Sequence, residues 1–497
     1  MTTRKLVLIM TDTQGVNIVG CYGAPAGILT PNIDSLARRG MRFDRAYTCQ
    51  PVCGPARAAL FTGTFPHSNG SWANCMPLGA NVRTIGQRLA GHGFHNAYIG
   101  KWHLDGSDYF GTGRCPEGWD PRYWYDMRRY LEELSPRDRE RSRRGETSFD
   151  PDITAEFTYA HRCSERAVDF LARHREEDFL LVVSYDEPHG PCLCPAPFNT
   201  MYRDYAYPHR ASMDDPLTGK PEHHRAWAES AAGGHPPPGE PIRNPLYFGC
   251  NTFVDDEIGR VIAAVDRHAP DALVVYTSDH GDALRAHRLT NKGPAMYDDI
   301  TRIPFIARWP GVTPEGGVCR HPVSHIDLVP TLLEAAGLPD SKVLEGRSLC
   351  AALARPDVRT HDAVFMEFAR YETDHDAFGG FQPMRAAFDG RYKLAVNLLA
   401  TDELYDLETD PDEMRNLIES PDHAAARDAL HDRLLGWMNE TRDPFRGYCW
   451  ERRPWRKDAR PASWRYTAMT RQREAEEEPR QLDYDTGLEM TAAVRRK

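Results

Sequence analysis

The sequence predicts an α/β fold, with a large mixed, mainly parallel sheet sandwiched by helices and a smaller C-terminal α+β subdomain. Three observations predict this fold. Four short apolar runs are continuous rather than alternating, as in strands that are buried on both faces. Helix-like segments separate these runs, which implies crossover connections between parallel strands. Short strand-like segments and an amphipathic helix then follow toward the C-terminus.

The elements follow from these patterns in chain order. Runs rich in Val, Leu and Ile give the predicted strands of the large sheet, at residues 6–10, 97–99, 179–185 and 272–276. The helix-like segments are residues 32–39, 84–90, 156–173 and 251–268. Further on, the predicted strands are 363–368, 384–388 and 392–396, and the predicted helix is 424–438. A composition shift between residues 351 and 361 sets the predicted units: an α/β domain at 1–360, a subdomain at 361–450 and a charged extension at 451–497.

The composition is that of an ordinary soluble protein. Of the 497 residues, 41% are hydrophobic and 27% are charged, and the net charge of −11 argues against a nucleic-acid partner. The apolar run near the N-terminus is too short for a signal peptide, and no stretch reaches transmembrane length. The twelve cysteines show no disulfide framework. We therefore expect a cytoplasmic protein without a membrane partner, and a homo-oligomer is left open.

Cys53 lies in the most informative stretch of the chain. Pro55 suits the first turn of a helix, the next residues favour helix, and Gly63 is a suitable stop. Cys53 is therefore predicted at or just before a helix N-terminus, where negative charge is stabilised. Arg57, four residues on, falls on the same helical face. These features predict a site for an anionic substrate, and the alternative is a small buried cysteine beside a surface arginine.

Polar residues follow each of the four predicted strands of the large sheet. They are Asp12, then Lys101 and His103, then Asp186 to His189, and finally Asp279 and His280. In open parallel sheets, ligands bind beyond the carboxyl ends of the strands. Carboxylates suit Ca²⁺, Mg²⁺ or Mn²⁺, and an imidazole is compatible with Mn²⁺ or Zn²⁺. We expect Asp12, Asp279 and His280 to bind a metal, although a turn-forming or capping role is the simpler alternative.

The block from Cys53 to Arg57, Cys-Gly-Pro-Ala-Arg, with Leu60-Phe-Thr-Gly63 after it, resembles the signature of the formylglycine-dependent sulfatases in the alkaline phosphatase superfamily. Further blocks agree in order and type: Thr30-Pro-Asn-Ile-Asp34, Gly100-Lys-Trp-His103, Pro188-His189, Thr277-Ser-Asp-His-Gly281 and Lys292. The resemblance covers roughly residues 1–420. It implies the hydrolysis of a sulfate ester, most commonly of a sulfated saccharide, with a simple aryl or alkyl sulfate as the alternative.

The resemblance implies that Cys53 is a precursor. A maturation enzyme that recognises the Cys-x-Pro-x-Arg pattern would oxidise it to formylglycine, whose hydrated form is a diol. One hydroxyl of the diol would bind the metal and attack sulfur. The metal ligands would be Asp12, Asp279, His280 and the residue formed from Cys53. Ca²⁺ is the expected ion, with Mn²⁺ or Mg²⁺ as the alternatives.

The remaining catalytic roles are implied residue by residue. Arg57 would hold and polarise the diol, and His103 would contact it. Lys101 and Lys292 would bind the sulfate oxygens, and His189 would protonate the leaving alcohol. For each lysine, the alternative is an ordinary solvated side chain. Six residues are candidate pocket walls, for which packing is the alternative: Trp72, Asn74, Tyr109, Trp119, Tyr123 and Trp124.

One position departs from the pattern of the family. Many members have two consecutive metal-binding aspartates after the first strand, whereas Thr13 follows Asp12 here. His280, where others have asparagine, is a known variation. Together these features also resemble the phosphonate monoester and phosphodiester hydrolases of the superfamily, which is the second hypothesis for function. A third is a catalytically silent, sugar-binding relative with a decayed metal site.

Overall fold

The computed structural model describes residues 2–106, 109–230, 239–339, 341–372 and 380–456. The C-terminal extension predicted at 451–497 therefore lies outside the described residues from position 457 onward. Across the described ranges, no helix has both the length and the apolar character needed to cross a membrane.

The strands form three sheets. In chain order they are β1 (Lys5–Thr11), β2 (Met41–Phe43), β3 (Ala46–Tyr47), β4 (His95–Gly100), β5 (Phe179–Ser184), β6 (Leu273–Ser278), β7 (Arg302–Ile303), β8 (Phe305–Arg308), β9 (Gly317–Cys319), β10 (Val323–Ser324), β11 (Val364–Phe368), β12 (Met384–Phe388), β13 (Tyr392–Asn397) and β14 (Glu403–Asp406).

The large sheet has the strand order β4-β5-β1-β6-β8-β2-β9. Strands β4, β5, β1 and β6 are parallel neighbours, and β8 runs antiparallel to both β6 and β2. A small sheet, β10-β3-β7, lies beside it, and β11 to β14 form an antiparallel sheet in sequence order. These sheets confirm the predicted fold class: a mixed, mainly parallel sheet followed by a smaller antiparallel subdomain.

Helices cover both faces of the large sheet, and a further one packs on the smaller sheet; the described residues form fifteen α-helices in all. They are α1 (Pro31–Arg39), α2 (Cys53–Thr62), α3 (Pro66–Asn69), α4 (Ile85–Ala90), α5 (Met127–Glu133), α6 (Pro136–Arg141), α7 (Tyr159–Arg173), α8 (Phe198–Met201), α9 (Glu222–Ser230), α10 (Pro245–His268), α11 (Asp298–Thr301), α12 (Leu328–Ala335), α13 (Cys350–Ala354), α14 (Ala424–Glu440) and α15 (Tyr448–Glu451).

Strand β1 shows why continuous apolar runs appear at the centre. Leu6 and Leu8 point into a core that includes residues of α2, α4 and α12, whereas Val7 and Ile9 point into a core with α1, α7 and α10. All four side chains are fully buried, so none of these four positions suits a polar residue.

The smaller sheet packs against α14 through a separate hydrophobic cluster, which includes Leu394, Leu404, Leu434 and Met438. The predicted strands of this region agree with β11, β12 and β13 to within one residue at each end, and β14 was not predicted. The boundary between residues 360 and 361 stays a prediction.

Candidate active site

The carboxyl ends of four neighbouring strands meet at one edge of the large sheet. Asp12 follows β1, Lys101 follows β4, Asp186 lies two residues after β5, and Asp279 follows β6. These strands are consecutive in the sheet order β4-β5-β1-β6. Gly100 makes the turn after β4 possible, because its φ is +126° and a Cβ there would lie 1.9 Å from the Ser184 carbonyl oxygen. The predicted convergence of polar residues at this edge is therefore present.

Helix α2 brings Cys53 to the same edge. Cys53 is the first residue of the helix, which ends at Gly63 with a φ of +71°. The Gly54 N–H lies in the first turn, where it has no partner within the helix, and it donates to Asn74 Oδ1 at 2.8 Å. The Cys53 Sγ lies 3.1 Å from His280 Nε2 and 3.8 Å from Asp12 Oδ1. The helix thus aims a buried sulfur at the ends of β1 and β6.

Arg57 joins the two aspartates. Its guanidinium donates to Asp12 Oδ2 and to Asp279 Oδ2, each at 3.0 Å. It also donates to the Lys101 carbonyl and to Ser184 Oγ, each at 2.8 Å. The side chain is fully buried, so the alternative of a surface arginine is wrong. Arg57 thus holds the Oδ2 atom of each carboxylate, and the Oδ1 atom of Asp12 faces the Cys53 sulfur.

Four donor atoms converge on one point. Side-chain ligand atoms of Asp12, Cys53, Asp279 and His280 all lie within 4.8 Å of one another, and all four residues are buried. The His280 Nδ1–H donates to the Gly281 carbonyl at 2.8 Å, which leaves an Nε2 lone pair directed at the cluster. Two carboxylates and one imidazole are a suitable donor set for a divalent cation. The residues present therefore fit the metal that the sequence predicts.

Thr13 is the residue at which this sequence departs from the two consecutive aspartates of the family that it resembles. Its hydroxyl donates to Asp12 Oδ1 at 2.6 Å, and its backbone N–H donates to Asp279 Oδ1 at 3.1 Å. Its φ of +61° is rare for a β-branched residue. Thr13 thus orients two candidate ligands without offering a carboxylate of its own.

Burial and charge shift the pKa values of the candidate ligands. Burial, followed by the charge of Asp12, raises the pKa of Asp279 to about 7. Burial and Asp12 also raise the pKa of the Cys53 thiol, although Lys292, Lys101 and Arg57 act in the opposite direction. A bound cation would favour the ionised form of Asp279, which this environment disfavours.

Lys101 and Asp186 form the next layer of the site. The Lys101 Nζ lies 2.7 Å from Asp12 Oδ2, 3.0 Å from Asp186 Oδ1 and 4.1 Å from the centre of the Tyr109 ring. The Tyr109 hydroxyl contacts Asp186 and lies 3.1 Å from His189 Nδ1. The fully buried Lys101 is not the solvated lysine of the alternative hypothesis.

His103, His189 and Lys292 complete the predicted set. His103 is buried, and its Nδ1 has no hydrogen-bond partner among the described residues. Burial, then Lys292 and Lys101, lowers the pKa of His189 to about 3. Lys292 is 3% exposed. Burial acts to lower its pKa, but the charges of Cys53, Tyr371 and Asp12 outweigh burial and raise the pKa. The charges of the Cys53 cluster therefore act on His189 and Lys292, through Asp12 in both cases and through Cys53 in the case of Lys292.

Sequence reasoning gave no role to several residues that the structure adds. The sequence marks Asp186 only as a polar residue after a strand, and it does not predict the contacts that Thr13 and Asn74 make at the site. Tyr109 does lie at the site, whereas Trp119 and Trp124 pack with Tyr98 in the core, as the alternative for them supposed.

Two family models and a close relative match this chain. A family model described as "Sulfatase" matches residues 4–338, and one described as "N-sulphoglucosamine sulphohydrolase, C-terminal" matches residues 286–440. The "Uncharacterized sulfatase YidJ" of Escherichia coli (strain K12) is 48% identical over 98% of this chain and 97% of its own length.

Two solved structures show the same fold. One is BT4656 in complex with its substrate D-glucosamine-2-N,6-O-disulfate, with a TM-score of 0.74, 21% identity, and coverage of 89% of this chain and 98% of that one. The other is the phosphonate monoester hydrolase of Agrobacterium radiobacter, with a TM-score of 0.70, 22% identity, and coverage of 88% and 96%.

The chain belongs to the sulfatase family, within the alkaline phosphatase superfamily, and is a sulfuric ester hydrolase.

Proposed function

We propose that this protein hydrolyses the sulfate ester of a saccharide to an alcohol and inorganic sulfate, using a formylglycine made from Cys53 and one divalent metal ion. The observation that supports the proposal best is the convergence of Asp12, Cys53, Asp279 and His280 on one buried point. The sulfated sugar in the BT4656 structure supports the saccharide class.

The charge of the site favours an anionic substrate. Three buried carboxylates, Asp12, Asp186 and Asp279, face three buried cations, Arg57, Lys101 and Lys292. A divalent ion would therefore leave the site with two excess positive charges. In a buried site such an excess is weakly screened and attracts the sulfate group.

The metal, which we propose is Ca²⁺, would supply Lewis acidity and lower the pKa of a bound hydroxyl. Asp12, Asp279 and His280 would hold it, with Arg57 and Thr13 fixing the carboxylates. Lys101 and Lys292 would bind sulfate oxygens, and Arg57 and His103 would orient the modified side chain of residue 53.

His189 is the proposed acid for the leaving alcohol. Lys292 and Lys101 help to hold its pKa low in the free site. A bound sulfate would offset those two charges and raise the pKa, so His189 would gain its proton when substrate is present. The contact from the Tyr109 hydroxyl to Nδ1 would leave Nε2 to face the substrate.

Mass spectrometry of the peptide that contains Cys53 tests the proposed modification. The protein is purified from its native host, and from a second host with and without a co-expressed maturation enzyme. We expect an aldehyde at position 53 and activity in proportion to it. An unmodified thiol in the native protein, together with no bound metal, would instead support a silent sugar-binding relative.

A comparison of substrates separates the sulfatase from the second hypothesis. Aryl sulfate, phosphodiester and phosphonate monoester are compared by kcat/KM on the same preparation, followed by sulfated sugars that differ in the position of the sulfate. We expect the highest value for a sulfate ester. Faster cleavage of the phosphonate ester would overturn the proposed reaction while leaving the site intact.

We also propose a cytoplasmic location. All twelve cysteines are free thiols, which is the expected state in a reducing compartment. Fractionation of the native host checks this location. Size-exclusion chromatography with light scattering decides whether the protein is a homo-oligomer.

A further inference from the structure

A second cluster of metal-binding side chains lies at the other end of strand β4. His95 is the first residue of β4, His174 directly follows α7, and Glu177 lies in the turn before β5. Lys101 is six residues beyond His95, which in a strand is about 20 Å. The cluster is therefore separate from the candidate active site.

The Glu177 carboxylate lies between the two histidines. Its Oε2 is 2.8 Å from His95 Nδ1, and its Oε1 is 2.8 Å from His174 Nδ1. The two imidazole rings are 4.3 Å apart at 76°, and the ligand atoms of the three residues all lie within 4.8 Å of one another. Two nitrogen donors and one carboxylate oxygen thus face the same small volume.

The opposite nitrogen of each ring has its own partner. His95 Nε2 is 2.6 Å from Asp120 Oδ2, and His174 Nε2 is 2.9 Å from the Tyr123 hydroxyl. Without an ion, the Nδ1–H of each ring donates to Glu177. When a metal ion replaces those protons, each Nε2–H would donate to its outer oxygen and both Nδ1 lone pairs would face the ion. Metal-binding histidines commonly have this arrangement, in which an outer carboxylate or other acceptor fixes the tautomer.

Access and charge also suit a metal ion. The side chains of His95 and His174 are 15% and 13% exposed, whereas that of Glu177 is 48% exposed, so an ion can enter on the glutamate side. Hydrogen bonds from His174 and His95 lower the pKa of Glu177, which is therefore an anion at neutral pH.

We propose that His95, His174 and Glu177 bind a Zn²⁺ ion, with water as the fourth ligand. Zinc prefers this mixture of imidazole and carboxylate donors in tetrahedral geometry, whereas Ca²⁺ and Mg²⁺ prefer oxygen ligands alone. Neighbouring ligands of tetrahedral zinc are about 3.3 Å apart, so Glu177 would withdraw by about 0.5 Å from its present contacts. The ion would tie the start of β4 to the end of α7.

The experiment counts zinc in protein without an affinity tag. An Asp279→Asn background removes a ligand of the proposed active-site metal, so that site contributes less to the count. Protein stripped with EDTA is titrated with zinc chloride by calorimetry, and bound zinc is counted after gel filtration. His174→Gln and Glu177→Gln each remove a proposed ligand. His92→Gln is the matched control, since this exposed neighbour offers only its carbonyl oxygen, to Arg4.

We expect one bound zinc per chain in the background protein and in His92→Gln. Both ligand variants should lose this zinc. In Asp120→Asn we expect the zinc affinity to be about 10- to 100-fold weaker. We also expect zinc to raise the melting temperature of the background but not of Glu177→Gln, whose exposed side chain makes that variant the safer one for folding. No zinc bound in the background, or an unchanged count in a folded Glu177→Gln protein, would overturn the proposal and leave an ion-pair cluster.

Discussion

Replacing Arg57 with methionine tests whether this residue organises the site. Arg57 contacts two buried carboxylates, a carbonyl and a hydroxyl, and Met fills a similar volume without any donor. We would make Arg57→Met in a Cys53→Ala background, so that modification of residue 53 cannot differ between the two proteins. The measurements are made in EDTA, because a bound metal ion would stabilise the folded protein and mask the loss of stability.

The structure sets the expected size of the effect. Removing one partner of a buried ion pair costs about 3–5 kcal/mol. Asp12 keeps Lys101 at 2.7 Å, and Asp279 keeps two backbone N–H donors, so we expect a single loss of this size rather than two. The entropy of unfolding for a chain of this length is roughly 1 kcal/mol/K, which converts the loss to a fall in melting temperature of about 3–5 °C.

The loss should also depend on pH. The pKa of Asp279 is already raised to about 7, and removal of Arg57 raises it further. Over the interval between these two pKa values, the folded variant binds a proton that the folded parent releases, and the unfolded chains bind none. Stability of the variant therefore falls relative to the parent as pH rises through and above about 7.

Differential scanning calorimetry at pH 6 and pH 8.5, at one scan rate, measures both effects. Arg39→Met is the matched control, because Arg39 pairs with Asp266 at 2.6 Å but its side chain is 39% exposed, and such pairs contribute about 1 kcal/mol at most. The reasoning would be refuted if Arg57→Met lowered the melting temperature no more than Arg39→Met does. It would also be refuted if the fall in melting temperature became smaller as pH rises.

Three further predictions concern the surroundings of the site. Burial, then Asp186, raises the pKa of Glu187 from 4.5 to about 8, so the folded state holds a proton that the unfolded chain has lost. The free energy of unfolding of the wild type should therefore fall between about pH 4.5 and 8. In denaturant titrations over that range, Glu187→Gln should become more stable relative to the wild type as pH rises, whereas the exposed Glu165→Gln should not. Thr13→Ala should lower kcat/KM about 10- to 150-fold, because a hydrogen bond to a charged group contributes about 1.5–3 kcal/mol. Thr13→Ser should restore kcat/KM, and equal values for the two variants would contradict this role. Chelation should abolish sulfate release, and added Ca²⁺ should restore it in wild type but not in Asp279→Asn.

The central strands could be predicted because burial on both faces left a clear pattern. Strands β1, β4, β5 and β6 each contain a continuous apolar run, and each agrees with a predicted run to within two residues at either end. Strands β2 and β9 have three residues each, too few to show any periodicity. The sequence therefore indicated the parallel half of the sheet and missed the half that contains the antiparallel strand β8.

The sequence predicted which residues form the candidate site, but it did not predict which of them contact one another. The position of Arg57 four residues after Cys53 placed both on one helical face, and spacing could say no more. Its actual partners, Asp12 and Asp279, are 45 and 222 positions away in the chain, and only the sheet order brings them together. The same limit applies to Thr13, whose identity gave no hint that its hydroxyl faces a neighbouring carboxylate.

The burial of this stretch also constrains when residue 53 can be modified. Cys53 is 2% exposed and Arg57 is fully buried, with all its hydrogen bonds made inside the protein. An enzyme that reads Cys-x-Pro-x-Arg as a linear pattern needs both side chains exposed, and exposing them breaks the Arg57 contacts with two carboxylates. Opening this edge of the sheet would cost several kcal/mol. The proposed oxidation of Cys53 therefore belongs before the chain folds, and Arg57 would be a recognition element in the unfolded chain and a bridge between candidate metal ligands in the folded one.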